Sequence, residues 1–256
     1  MNGRLTSCRV VILVKALPRP SKKYGETVCC AGITVERAWK RLYPVRFRQL
    51  AGDQQFRRWQ WVEFKHRRPT QDQRLESCHV FQDTIVPLEE LPPRERFALI
   101  DPIITSSVRA AHDSGASLAV IRPSNTRFIT KRKPDRIIEV EKRAYAEAGL
   151  QRGFLDRDLA NFKPSPYEFA FSFQSADGFH TWRCGDWETH ATFFKWRQQY
   201  GDAETLRKLA GLYNDEYPRR GVVFAIGNMA RRPQTWQLLG VIRLDESGQW
   251  DLLSGL

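Results

Sequence analysis

The sequence predicts an α+β fold, mainly β, built as two small barrel-like β units with peripheral helices. Three observations carry this. Short strand-like runs bounded by Pro, Gly and polar turns recur in both halves, strands come in groups before helices instead of alternating with them, and no period of 20 to 50 residues repeats. A chain of 256 residues has enough length to bury a core without covalent staples.

Taken in order, "CRVVILVKAL" (8–17) reads as a buried strand ended by Pro18 and Pro20. "ETVCCAGI" and "AWKRLYPV" read as two more strands, the latter with Trp39, Arg41 and Tyr43 on one face and Lys40, Leu42 and Pro44 on the other. Residues 59–65, "WQWVEFK", alternate as a further strand. The stretch from "TQDQRLES" reads as loop until the short strand "DTIVPL". In 92–115, Pro93 suits a first helical turn, Pro102 breaks the helix, and Gly115 ends a second piece. "SLAVIRP" and "TRFIT" are strands, and the charged run "KRKPDR" (131–136) is the expected boundary between an N-terminal unit, 1–130, and a C-terminal β-rich unit with a helical insertion, 137–256.

Beyond it, "IIEVEKRAYAEAG" reads as a helix stopped by Gly149, and "PYEFAFSF" places Tyr167, Phe169, Phe171 and Phe173 on one face of a strand. Asp177-Gly178 is a hairpin turn into "FHTWRC". Two helices parted at Gly201 fill 187–217, and the strands "GVVFAIG" and "WQLLGVIRL" follow.

Lys and Arg number 41 against 29 Asp and Glu, a net +12, and such a field concentrates phosphate polyanions. The five cysteines are odd in number and form no C-x-x-C pair, which supports neither a secreted disulfide framework nor a four-cysteine zinc site. The longest apolar run, "VVILV", is far short of the ~18 to 20 residues of a spanning helix. These features predict a cytoplasmic protein without membrane association.

The opening segments carry a resemblance. "KALPRPSKKYGETVCCAGI", "AWKRLYPVRFRQL" and "FRRWQWVEFKHRR" resemble the start of an uncharacterised prokaryotic family and of dual OB-containing domain proteins, with weaker matches at "CGDWE" (184–188) and "GNMARRPQTWQLLGVIRL" (227–244). The resemblance implies paired OB-like barrels and an association with nucleic acid or antiviral defence systems. It also implies a cysteine cluster before the "DWE" segment, of which only Cys184 is present here.

Candidate chemistry follows from residue type. Cations that follow a backbone and rings on which bases stack are what single-stranded nucleic-acid binders use. Arg41, Tyr43, Arg46, Phe47, Arg48, Arg57, Arg58, Trp59, Trp61, Lys65, Arg67 and Arg68 are expected to form such a surface, joined by the phosphate-holding loop of Lys22, Lys23 and Tyr24. Nucleic acid is therefore the expected partner. Two alternatives stand beside this reading: a metal-dependent nuclease or a nucleotide- or base-modifying enzyme, and a basic subunit of a larger assembly. An enzyme would draw on Lys23 with Glu26, or on His180, Cys184, Asp186, Glu188 and His190. On a strand, however, His180 and Cys184 lie about 13 Å apart, and Asp186 suits the N-cap of the following helix with Glu188 in its first turn. His66, His79 and His112 have no partner by spacing, Cys78 and His79 point to opposite faces of a strand, and nothing in the motifs asks for a cofactor.

Overall fold

The computed structural model describes residues 5–17, 19–21, 25–47, 50–150 and 164–245. Strands β1 (Thr6–Lys15), β2 (Arg19–Ser21), β3 (Gly25–Ile33), β4 (Trp39–Val45), β5 (Gln60–Arg67) and β6 (Ser77–Glu90) make the first unit. Five of them close on themselves in the order β1-β3-β4-β6-β5-β1, with β4 and β6 parallel and every other joint antiparallel. This is a five-stranded Greek-key barrel of OB type. Its first and second strands run so close that a Cβ on Gly32 would stand 2.3 Å from the Val11 carbonyl oxygen. Only glycine fits there.

Helices α1 (Pro93–Ile100) and α2 (Val108–Asp113) follow, separated by a 3-10 turn at Asp101–Ile103 and the short strand β7 (Ile104–Thr105). Pro93 sits in the first turn of α1, Ser107 caps α2 by accepting from the Ala110 N–H at 2.9 Å, and Gly115 follows α2 with φ 74°. The remaining strands are β8 (Leu118–Ile121), β9 (Ser124–Arg132), β10 (Tyr167–Ser175), β11 (Gly178–Arg183), β12 (Val222–Met229) and β13 (Arg232–Arg243), with helices α3 (Asp135–Leu150) and α4 (Trp187–Gly211) between them. α3 runs through Gly149, which the sequence marks as its end. α4 breaks at Gly201, where φ is 71°, as expected of a residue free to enter the left-handed region.

The second unit repeats the connectivity of the first. β8 continues into β9 across Arg122 and Pro123, and the pair acts as one bent strand: β9 pairs with β10, β8 with β12, β10 with β11, and β12 with β13. The ring is completed by a parallel bridge from Cys184, just past β11, to Leu238 on β13. Third and fifth strands are thus parallel in both barrels. The first has three register pairs at this joint, and the second has that bridge. β8 and β9, assigned with the N-terminal half by the charged run at 131–136, hydrogen-bond to C-terminal strands, so the change of unit precedes them.

Three cores follow from this layout. Val10, Ile12, Leu42, Val62 and Phe64 fill the first barrel, and Phe128, Phe169, Phe171, Phe173 and Phe224 fill the second. Between them, Val11, Leu13, Ala31 and Ile33 pack with Leu118, Val120, Val223, Ala225 and Ile242 in a shared core. β1 and β12 are therefore buried on both faces, which is why "VVILV" and "VVFAI" are continuous apolar runs and not alternating ones. Among the described residues no helix is long and apolar enough to cross a membrane.

Candidate functional site

A cleft of about 2170 Å³ runs between the barrels. Its lining has a simple origin in the topology. From the first barrel come Cys29, Arg41 and Tyr43 on the second and third strands, Ala16 and Leu17 after the first, and Arg67 to Arg74 between the fourth and fifth. From the second come the equivalents: Tyr167 to Phe169 and Thr181 to Arg183 on its second and third strands, Lys133, Glu141 and Tyr145 after the first, and Met229 to Arg231 between the last two. Both barrels turn to one space the surface by which OB-type barrels hold oligonucleotides and oligosaccharides.

The outer face of the first barrel carries rows of basic and aromatic side chains up to this cleft. Leu42, Cys78 and Phe64 point inward, so their neighbours point out. Tyr43 is the register partner of His79, His79 of Arg67, and Phe81 of Lys65. Tyr43 and Phe81 remain 39% and 37% exposed, the His79 and Phe81 rings meet edge-on at 5.9 Å, and the Arg67 guanidinium lies 5.9 Å from the Phe81 ring. Three residues of the expected surface, Tyr43, Lys65 and Arg67, are thus brought together, and exposed Arg68 adjoins them. His79 and Phe81 were not foreseen, because their strand is masked by the polar residues before it.

The expected continuous surface over 41–68 does not form. Arg41 is buried, donating from Nη2 to the Ser117 carbonyl at 2.9 Å and to its hydroxyl at 3.3 Å, while the Glu76 carboxylate accepts from the same serine's N–H and hydroxyl. It joins the units. Arg58 does so more strongly: its Nη2 meets Asp186 at 2.7 Å and its Nη1 the Val241 carbonyl at 2.7 Å, with Asp186 fully buried. Trp59 lies in the shared core under the Arg96 guanidinium, and Trp61 packs against that core beneath Arg9. Arg46 is half-buried, its N–H bound to Gln82 at 2.6 Å, and Phe47 packs edge-on to Phe56 and Trp187. Arg57 is exposed in the turn before β5 and does not line the cleft. Lys22, Lys23, Tyr24 and Arg48, and the side chain of Glu26, lie outside the described residues.

The cations in the cleft differ in how far they are neutralised. Arg74 is held by Asp72 at 2.7 Å, Lys133 by Glu141 at 2.7 Å, Arg183 by Glu168 at 2.9 Å, and Arg197 by Asp202 at 2.9 Å. Arg67, Arg68 and Arg231 are exposed and have no ion pair among the described residues. Arg183 is 81% exposed despite its partner, so its charge also faces solvent.

The metal candidates are dispersed by the fold. Asp186 caps α4 by accepting from the Glu188 N–H at 3.3 Å; burial raises its carboxyl, opposed by the Arg58 cation and the Val241 N–H. Burial pushes the Cys184 thiol up to about 12, and it pushes His190 down to about 4, with His190 Nε2 near the Cys184 carbonyl at 3.4 Å and its ring 4.8 Å from that of Phe169. His180 sits instead at the β10–β11 turn, 3.1 Å from Asp177 and 3.0 Å from Ser175 Oγ. Both contacts use Nε2, whereas a nucleophile triad uses opposite ring nitrogens, so this cluster locks a hairpin. Burial raises the Asp177 carboxyl, but hydrogen bonds from Ser175, the Arg109 N–H and His180 outweigh it and hold the group at about 2. Among the described residues no group of three His, Cys, Asp or Glu is placed to hold a metal ion. Cys78 points into the barrel, its thiol raised by burial to about 12, and His79 points out.

No curated protein matches this sequence. A family model described as a domain of unknown function (DUF8758) matches residues 6–104, which is the first barrel with α1. A second model matches residues 103–253, more than half the chain and the whole of the second barrel, and the chain accordingly belongs to the family described as a domain of unknown function, DUF8757.

Proposed function

We propose that this protein binds single-stranded or distorted nucleic acid along the cleft between its barrels, by phosphate neutralisation and base stacking. The observation that supports the reading is the convergence of both barrels' second and third strands, with their flanking loops, on one basic and aromatic space. Arg67, Arg68, Arg183 and Arg231 offer exposed charge to a backbone, and Tyr43 and Trp182 offer rings; exposed Phe81, beside Arg67, extends this face outside the cleft. Each stacked base contributes roughly 1 to 3 kcal/mol.

The test is fluorescence anisotropy with single-stranded, duplex and RNA oligomers at two ionic strengths. Arg67→Glu with Arg68→Glu should weaken binding whatever the sequence and reduce the salt slope by about 1 to 2. Both residues are exposed, so circular dichroism should stay unchanged. Equal affinity of variant and parent at both ionic strengths would overturn the proposal.

A further inference from the structure

We infer that the side wall of the second barrel holds a pocket for one nucleobase, a conclusion that rests on the reading of the cleft as a nucleic-acid site. The third and fifth strands of that barrel touch at the Cys184–Leu238 bridge, and away from it Trp182 on β11 and Trp236 on β13 both line the cleft. Asn228 and Trp236 are register partners on β12 and β13, so their side chains share a face. Arg74 donates to the Asn228 carbonyl at 2.8 Å, tying this strand end to the first barrel's wall of the cleft.

Trp236 is 8% exposed, yet its indole N–H has no acceptor among the described residues. Asn228 gives its amide N–H to the Pro233 carbonyl at 3.1 Å, which fixes the amide's orientation and leaves Oδ1 buried without a donor. Native interiors rarely leave such groups unmet, because a buried donor or acceptor without a partner forfeits the hydrogen bonds it made to water. A ligand that answers both must present an acceptor beside a donor. A phosphate offers acceptors alone and meets only the indole. A nucleobase edge offers both, and adenine and cytosine place an exocyclic donor next to a ring acceptor while thymine reverses the order. The pair therefore selects a base over a backbone, and some bases over others. Both atoms are shielded from solvent, so entry requires their cover to move.

The experiment is anisotropy with deoxyadenosine, deoxycytidine and thymidine homopolymers of about twelve nucleotides, on the full chain and on Trp236→Phe and Asn228→Ala. The parent should prefer one homopolymer by about tenfold. Both variants should lose that preference while keeping the weaker affinity and its salt dependence, with thermal unfolding confirming that they fold. A parent that binds all three alike, or variants that discriminate as the parent does, would refute the pocket and leave the cleft standing. Failure of every oligomer to bind would refute both.

Discussion

Replacing Asp186 by Ala should be among the most damaging single changes in this protein. The carboxylate is fully buried and accepts from Arg58 Nη2 at 2.7 Å, the Val241 N–H at 3.1 Å and the Glu188 N–H at 3.3 Å. Its loss leaves a guanidinium whose side chain is 12% exposed with the Val241 carbonyl as its remaining hydrogen-bond acceptor among the described residues and Glu188 as its nearby counter-charge, and it uncaps α4. Removing one partner of a buried pair costs about 3 to 5 kcal/mol. At roughly 2 to 4 °C per kcal/mol for a chain of this size, the melting temperature should fall by about 6 to 20 °C. The reciprocal double variant, Arg58→Met with Asp186→Leu, removes both charges and should recover much of the loss. Urea and thermal unfolding of the two variants measure this. A cost below about 1 kcal/mol for Asp186→Ala would refute the assignment of the pair as the joint between the barrels.

Two further outcomes follow from the packing. His190 is held by burial at about 4, so the unfolded chain takes up a proton that the folded one refuses as pH falls from about 6.5 to about 4, and up to ~3 kcal/mol of stability is lost over that window; in His190→Gln the drop in the urea midpoint between neutral pH and pH about 4 should be smaller, and an equal drop would exclude this histidine as its source. Gly32→Ala sets a Cβ 2.3 Å from a backbone oxygen, whereas Gly227→Ala meets side-chain ends of Leu239 and Leu118 at 2.6 and 2.9 Å. The second should cost about 1 to 3 kcal/mol and the first distinctly more, read as melting temperature and soluble yield, and equal costs would contradict the close approach of β3 to β1.

Local signals made much of the fold legible. Apolar runs gave β1 and β12, Asp177-Gly178 marked the hairpin, Asp186 the cap of α4, and Gly201 its break. The resemblance carried by 8–68 supplied the barrels. What escaped depends on distant partners. The start of β6 was unreadable because Cys78 and Val80 gain their inward direction from a parallel pairing with β4, which leaves no mark in the neighbouring residues. The charged run at 131–136 reads as a linker, yet Lys131 and Arg132 are paired with Glu168 and Tyr167 in the sheet. Arg58 looks like any surface arginine until Asp186, 128 residues away, is folded against it. Residue type indicated what the site is made of, and long-range pairing decided which cations remain at the surface.

The doubling of the barrel makes the cleft a product of both halves. β1 and β12 each bury a second face because the units pack against each other across them, and either unit alone would expose the apolar side chains of the shared core. That joint also sets the separation between the two second-and-third-strand faces, so the width of the cleft is held by the Arg58–Asp186 pair, by Arg41 on Ser117 and by Arg74 on the Asn228 carbonyl. A nucleic acid spanning both barrels would therefore sense the joint: Asp186→Ala, assayed below its melting temperature, should lose affinity for oligomers long enough to reach both walls and retain it for those that reach one.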